Sequence, residues 1–287
     1  MTSRVVITGM GGVSSIGMSV PEIYNSMKEG KSGIGMLDIP DLARLKVKNG
    51  GQIKNFDANN HFEQKKIARM DRFSQFALLA ADEAITSSGL KNSQETWSEN
   101  AGIILGSSIG GIETINNSYK QVFEEGHNRL HPLTIPKIMN NSATSLISIE
   151  YRIQGPSFTV SSACSSANHA MGLAYETIKS RKSNIMITGG SESFLSFGGI
   201  KPWESLRVLS HDKCRPFSKG RDGLVHGEGA GIFVFESLDS AKKRKAEIVA
   251  EIIGFSMSSD ASDLIKPNNI GPEKALEGVL KDGMINK

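Results

Sequence analysis

The sequence predicts an α/β fold in which buried strands alternate with amphipathic helices. Five short runs rich in β-branched and aliphatic residues are bounded by glycine, as strands commonly are. These runs are apolar on both faces, which favours strands covered by helices on either side of a sheet. Three segments between them repeat apolar residues at helical spacing. Alternation of the two element types is typical of the α/β class.

The predicted strands are, in chain order, RVVITG (4–9), AGIILGSS (101–108), SFTVSSA (157–163), NIMITGG (184–190) and GAGIFVFES (229–237). The first predicted helix, 71–90, carries Phe73 and Phe76 on one face and ends at Gly89. The second, 136–155, is followed by a Gly-Pro stop. The third, 165–183, begins directly after Cys164.

Composition limits the class of protein more than it identifies a function. With 287 residues and 38% hydrophobic content, the chain can bury a sizeable core. The net charge of +3 comes from interspersed charges, so nucleic-acid binding is not predicted, although acidic partners stay possible. Cys164 and Cys214 form no disulfide framework. We find no signal-peptide pattern and no apolar run of roughly 18 residues, and we expect a cytoplasmic protein without a membrane span.

A weak internal sequence similarity suggests two structural halves. RVVITGMGGVSS near the start is similar to AEIVAEIIGFSMSSDA at 246–261, since each combines a strand-like run with glycine and small residues. Chance also produces internal similarities of this kind. If this similarity is structural, the first half covers 1–245, and 246–287 is the beginning of a second half that is truncated.

Cys164 lies between a predicted strand and a predicted helix. Free N–H groups and the positive end of the helix dipole favour a thiolate over a thiol at such a position. A neighbouring backbone N–H can also stabilise an oxyanion on a substrate carbonyl. This arrangement suits acyl transfer. A buried structural cysteine is the alternative from position alone, and it is the better interpretation of Cys214.

The remaining motifs indicate no nucleotide or metal site. The glycine-rich segment 220–236 precedes a strand, whereas a dinucleotide loop follows one and opens a helix. The segment 106–114 lacks the Gly-Lys-Ser/Thr of a phosphate-binding loop. No metal-ligand cluster stands out among the histidines. His169, just over one turn beyond Cys164, is a weak candidate for a base because helical side chains point along the helix.

Six segments occur together in the order and spacing of a known family. They are VITGMGGVSSIG at the start, GSSIGGI (106–112), GPSFTVSSACSSANHAMG (155–172), ITGGSES (187–193), RPFSKGRDGLVHGEGAGIFVFE (215–236) and GFSMSSDA (254–261). They resemble the β-ketoacyl-acyl-carrier-protein synthases of type II, which are condensing enzymes of the thiolase superfamily. The segment WESLRVLSHDKCRPFS is similar to the corresponding segment in the branch of the family that contains nodulation-type synthases.

The resemblance implies a thiolase-like layered αβαβα fold with a mixed sheet, a buried nucleophile helix and an incomplete second half. It implies that Cys164 accepts the acyl chain, that Ile109 and Trp203 line the acyl pocket, and that Ile135 closes the pocket of a partner subunit in a homodimer. Plain core packing is the alternative for the two pocket residues. Acyl carrier protein is acidic, and four basic residues are its expected contacts: Lys65, Lys66, Arg69 and Arg207. A solvated charged face is the alternative for these four. No cofactor is implied.

The implied reaction is decarboxylative condensation of the Cys-bound acyl chain with malonyl-acyl-carrier protein, giving 3-oxoacyl-acyl-carrier protein in fatty-acid or related synthesis. The family's catalytic histidine pair lies in its second half, and no histidine of this chain matches either one. We therefore expect the 287 residues alone to support acylation but not full condensation. A non-catalytic partner subunit resembling a chain-length factor, and a thiolase-like enzyme that uses coenzyme A, are the alternatives.

Overall fold

A computed structural model describes residues 2–93 and 97–285. Its helices are α1 (Val20–Lys28), α2 (Gln64–Ile67), α3 (Arg72–Ser87), α4 (Ile112–Phe123), α5 (Thr134–Ile138), α6 (Ser142–Tyr151), α7 (Ser166–Lys179), α8 (Phe197–Leu206), α9 (Leu238–Lys243) and α10 (Ile270–Asp282). Its strands are β1 (Val5–Ser14), β2 (Gly35–Met36), β3 (Asn49–Gly50), β4 (Gly102–Gly106), β5 (Ser157–Val160), β6 (Ile185–Glu192), β7 (Gly229–Ser237) and β8 (Ala250–Ile252).

The central sheet is mixed. Within the described residues it has six strands in the order β5-β4-β6-β7-β1-β8. Strand β4 runs parallel to β5 and β6, and β7 runs antiparallel to β6 and β1. The carboxyl ends of β4, β5 and β6 therefore lie at one edge of the sheet, together with the start of β7. The short strands β2 and β3 pair separately.

Helices cover both faces of this sheet. Helix α3 begins where the Asp71 carboxylate accepts a hydrogen bond from the Phe73 N–H, and it buries Phe73, Phe76 and Ile85 completely against the sheet. Helix α7 covers the other face through small and aliphatic residues spaced four apart: Ala170, Ala174 and Ile178. The predicted mixed α/β arrangement with helices on both faces is thus what the structure has.

The last helix attaches to α7. The Asp282 carboxylate accepts hydrogen bonds from the Tyr175 hydroxyl (3.2 Å) and the Lys179 ammonium group (2.7 Å). Strand β8 joins the central sheet by pairing antiparallel with β1. The division into 1–245 and 246–287 stays a prediction, since the sheet itself continues across that boundary.

A buried ion pair fixes the segment that leads into β7. The Glu228 carboxylate accepts two hydrogen bonds from the Arg72 guanidinium (2.7 and 2.9 Å), one from the Ile53 N–H (2.9 Å) and one from the Ser193 hydroxyl (2.7 Å). The Glu228 side chain is 1% exposed, so its charge is compensated inside the protein. The glycine-rich motif around Glu228 thus ties α3, β6 and β7 together.

Two local predictions were wrong. The single helix predicted over 136–155 is two helices, α5 and α6, because Met139 is extended (φ −67°, ψ 138°) and interrupts the helical backbone. Strand β5 is not buried on both faces, because it lies at the sheet edge, where Phe158 is 44% exposed. In the described residues, no helix combines the length and apolar character needed to cross a membrane.

Candidate active site

Cys164 lies in a sharp turn between β5 and α7. The strand ends at Val160 and the helix begins at Ser166. Ala163 adopts a left-handed backbone conformation (φ 50°), which turns the chain immediately before the cysteine. The Cys164 side chain is exposed. The thiol is therefore not a packed core group, contrary to the alternative that its position in the sequence left open. The interpretation of Cys214 as a buried structural cysteine was wrong, because its side chain is exposed as well.

Hydrogen bonds around Cys164 hold this turn. The Ser166 hydroxyl donates to the Ala163 carbonyl (2.6 Å) and accepts from the Ser162 N–H (2.9 Å). The Ser166 N–H also donates to the Ala163 carbonyl (3.1 Å). The Ser162 hydroxyl and His169 Nδ1 share a hydrogen bond of 2.7 Å. His169 is thus engaged with Ser162, which further weakens it as a base for Cys164.

Two strand glycines let the first turn of α7 lie directly on the sheet. A Cβ atom at Gly106 would lie 2.3 Å from both Ala167 N and Ser166 C. A Cβ atom at Gly190 would lie 2.7 Å from the Ala167 Cβ. Neither position accepts a side chain without displacing the helix that follows Cys164. Both glycines stand in the motifs that carry the family resemblance, although sequence reasoning assigned them no role.

The loops after β4 and β5 meet beside Cys164. The Asn140 side-chain amide donates to the carbonyls of Ser107 (3.1 Å) and Ser108 (3.3 Å) and to the Ser161 hydroxyl (3.4 Å). Ile109 follows Ser108 directly and is half-buried. The structure therefore brings the Ile109 loop, the segment after α5 and the turn before Cys164 together. Sequence reasoning missed Asn140, because no pattern around it points to these contacts.

The other two predicted pocket residues lie on different helices. Ile135 is on α5 and is 62% exposed. Trp203 is on α8 and packs against a separate small core that contains Leu195, Ile200 and Leu209. Whether these side chains line an acyl pocket stays a prediction.

The predicted carrier-protein contacts form two groups. Lys65 and Lys66 lie on α2 and Arg69 follows it, whereas Arg207 ends α8. Lys66 forms an ion pair with Glu150 (2.7 Å). The other three are exposed and form no ion pair with a described residue. Three exposed cations thus stay available to an acidic partner.

His226 is enclosed by aromatic rings. Its imidazole packs edge-on against Phe194 (4.7 Å between centroids) and Trp203 (5.0 Å). Its Nε2 is buried and has no hydrogen-bond partner among the described residues. Burial disfavours the charged form and lowers the pKa of His226 to about 4. The imidazole is therefore neutral at physiological pH, and the sequence motif gave no indication of this environment.

We expect His226 to make the protein less stable in mild acid. The folded-state pKa of about 4 lies below the ordinary value of 6.5, so the unfolded chain binds the proton first as pH falls between these values. At pH 5 the loss of unfolding free energy should be about 1 kcal/mol, because the partly exposed imidazole is screened by solvent. Urea unfolding at pH 7 and pH 5 measures this loss in the unaltered protein and in His226→Leu. The control His127→Leu, at an exposed histidine, should lose as much unfolding free energy between pH 7 and pH 5 as the unaltered protein does. If His226→Leu also loses that much, the assignment to His226 is contradicted.

Comparison with known proteins decides the family. Residues 2–241 match the sequence profile of the family "Beta-ketoacyl synthase, N-terminal domain". The chain belongs to the β-ketoacyl synthase family. This confirms the resemblance found in the sequence.

Relatives and a solved structure agree with this membership. Nodulation protein E of Rhizobium sp. (strain N33) is 40% identical over 286 residues, covering 100% of this chain and 71% of the relative. 3-Oxoacyl-[acyl-carrier-protein] synthase 2 of Staphylococcus aureus (strain COL) is 36% identical, covering 98% of this chain and 70% of the relative. A structure described as "The ishigamide ketosynthase/chain length factor" superimposes with a TM-score of 0.92 at 28% identity, covering 100% of this chain and 71% of that one. The fold is therefore the thiolase-like fold of the ketosynthases.

Proposed function

We propose that this protein accepts an acyl chain on Cys164 and elongates it by decarboxylative condensation with malonyl-acyl-carrier protein. The observation that carries the proposal is the exposed Cys164 thiol, held by a left-handed turn at the start of α7. Family membership and a relative named as a 3-oxoacyl-[acyl-carrier-protein] synthase support the same chemistry. The product is a 3-oxoacyl-acyl-carrier protein, made in the cytoplasm for fatty-acid or related synthesis.

Acyl transfer exchanges one thioester for another. The Cys164 sulfur attacks the thioester carbonyl of acyl-carrier protein, and the oxygen of that carbonyl becomes an oxyanion. The Cys164 backbone N–H, at the positive end of α7, is the donor that we propose for this oxyanion. The carrier thiolate then leaves and takes up the proton that Cys164 lost. No cofactor takes part in this step.

Condensation uses the acyl-Cys164 thioester as the electrophile. Malonyl-carrier protein loses CO2, and the resulting carbanion attacks the thioester carbonyl and expels the Cys164 thiolate. Charge develops on the malonyl thioester oxygen during decarboxylation, and hydrogen-bond donors must stabilise it there. The family resemblance assigns that task to a histidine pair in the second half. We therefore propose that residues 1–287 carry out the acylation step, in which Cys164 is the nucleophile.

The test is mass spectrometry of the protein after incubation with acyl-carrier protein. An acyl adduct on the peptide that contains Cys164 is the expected result. Acyl-coenzyme A at equal concentration serves as the competing donor, and a faster reaction with it would favour a thiolase-like enzyme. Absence of any adduct on Cys164 with either donor would overturn the proposed function.

We infer that the basic residues near α2 and α8 bind the acidic carrier protein. Replacing Lys65 and Arg69 together by glutamate should raise the concentration of acyl-carrier protein that gives half the maximal acylation rate about tenfold, without changing the maximal rate, because exposed charges act on encounter. The effect should diminish as salt is added. The control is Lys182→Glu. Lys182 is exposed and follows the carboxyl end of α7, whereas Cys164 precedes the start of that helix. Equal half-saturating concentrations for the double variant and the control would contradict this assignment.

We also propose a homodimer that forms through the β5 edge of the central sheet. Strand β5 pairs on one side only within the described part of the chain, and an unpaired strand edge favours association. Large apolar side chains on β5 and the nearby helices are exposed: Tyr119, Phe123, Ile135, Ile149 and Phe158. Sedimentation equilibrium should show a dimer, and a monomer at micromolar concentration would contradict it.

A non-catalytic partner subunit is the second candidate. It is favoured by the similarity to a structure described as a ketosynthase with its chain length factor. The exposed Cys164 favours the first proposal, because a partner that only shapes another pocket has no need of a nucleophile. Failure of Cys164 to react, together with stable binding to a second ketosynthase chain, would establish the partner role.

A further inference from the structure

Asn140 occupies the break between α5 and α6 and reaches across to two other loops. Its side-chain nitrogen lies 3.1 Å from the Ser107 carbonyl oxygen, 3.3 Å from the Ser108 carbonyl oxygen and 3.4 Å from the Ser161 hydroxyl. The Ser161 hydroxyl itself donates to the Ser108 carbonyl (3.2 Å). One amide thus joins the loop before Ile109 to the residue three positions before Cys164.

A second set of contacts holds the same loop from the end of β6. The Glu192 carboxylate accepts from the Ser108 N–H (2.7 Å) and the Ser107 hydroxyl (3.4 Å). On the far side of Ile109, the Gly111 N–H donates to the Ile138 carbonyl (3.2 Å) at the end of α5. Ile109 therefore lies in a short loop that is fixed on both sides. Among the described residues, three groups join this loop to the segment between β5 and α7: the Asn140 amide, the Ser161 hydroxyl and the Ser107 N–H, which donates to the Val160 carbonyl (3.2 Å).

We propose that Asn140 is a positioning residue that fixes the Ile109 loop relative to the turn that carries Cys164, and that it thereby sets the space available to an acyl chain on Cys164 and selects the length of that chain. The inference rests on the proposed function in one respect, since the acyl chain is the occupant of that space. The chemistry requires a donor: two backbone carbonyls converge on the position, and an amide NH2 supplies two hydrogens. Aspartate there would face two carbonyl oxygens with a negative charge and push the loop away. Leucine would leave both carbonyls without their donor.

The experiment compares two maleimides that differ only in the length of their N-alkyl chain, ethyl and dodecyl. Both add to an exposed thiol, so the ratio of their rate constants at Cys164 reports the room beside Ile109. Cys214 is exposed in the same chain and serves as the internal control. Peptide mass spectrometry follows the two cysteines separately in the unaltered protein, Asn140→Asp, Asn140→Leu and Ser161→Ala. Asn60→Asp is the matched substitution at an exposed asparagine elsewhere.

We expect the dodecyl-to-ethyl ratio at Cys164 to change about fivefold or more in both Asn140 variants, as the loss of about 1 kcal/mol of hydrogen bonding predicts. Ser161→Ala should change the ratio in the same direction by a smaller factor, since it leaves the two carbonyl contacts intact. The ratio at Cys214 should not change in any variant. General loosening of the fold would alter both cysteines and would overturn the proposal, as would an unchanged ratio at Cys164.

A parallel arm separates this inference from the proposed function. Hexanoyl- and hexadecanoyl-carrier proteins are offered to the same set of variants. If neither acylates Cys164 of the unaltered protein, the proposed function fails, and the maleimide ratios still decide the role of Asn140. If both acylate it but the Asn140 variants keep the same chain-length preference, the proposed function stands and the selection role is wrong.

Discussion

Cys164→Ser will accept acyl groups from carrier protein at least ~10³-fold more slowly than the unaltered protein, because a serine hydroxyl is scarcely ionised at neutral pH. The substitution keeps a side chain of similar shape at the start of α7. The Cys164 side chain is exposed, so we expect unchanged thermal stability. The measurement is the rate of adduct formation at residue 164 by intact-mass spectrometry. Loss of reactivity without loss of stability would assign the effect to the nucleophile.

Cys214→Ser is the matched control for this experiment. Cys214 is the other exposed cysteine, and it lies outside the turn between β5 and α7. Its replacement should leave the acylation rate within about twofold of the unaltered protein. Acylation of Cys164→Ser at the normal rate, or equal slowing in both variants, would show that the acyl group is held elsewhere.

Gly106→Ala should damage both the fold and acyl transfer, although it adds a single methyl group. The added Cβ would lie 2.3 Å from backbone atoms of Ser166 and Ala167, so the first turn of α7 must move. Overpacking of this kind costs about 1–3 kcal/mol of unfolding free energy. A displacement of about 1 Å at the nucleophile can slow a reaction about 10²-fold. Urea unfolding and the acylation rate measure the two effects separately.

Gly231→Ala provides the comparison for Gly106→Ala. Gly231 also lies in the central sheet, on β7, but a Cβ built there has no heavy atom within 4 Å. We expect its stability and acylation rate to stay close to those of the unaltered protein. If the two alanine variants behave alike, the close approach of α7 to Gly106 is not what positions Cys164.

Local pattern was sufficient wherever a segment's own residues decide its structure. The strand predicted at 229–237 has those bounds in the structure, because a run of apolar residues and its flanking glycine are local properties. The turn at Cys164 was also predictable, since a strand and a helix adjoin there. The break in 136–155 was not, because Asn140 bonds to Ser107 and Ser108, more than thirty positions away.

Tertiary proximity explains the remaining differences. The sequence shows β5 as an apolar run, but only the order of strands places it at the edge of the sheet. Likewise, nothing near His226 in the chain indicates that Phe194 and Trp203 enclose it. Gly106 and Gly190 were visible as motif glycines, yet their function depends on how close α7 comes. These features depend on distances that periodicity cannot supply.

The left-handed alanine before the nucleophile has an energetic consequence. Alanine at φ 50° is less stable by roughly 1–2 kcal/mol than it is in a right-handed conformation, whereas glycine adopts that angle freely. Glycine would relieve this strain, but it would also widen the range of angles open to the turn. Because Ala163 restricts that range, the direction of the Cys164 Cα–Cβ bond is determined by the main chain. The Cys164 thiol therefore has a defined direction although its side chain is exposed, which leaves room for an incoming carbonyl.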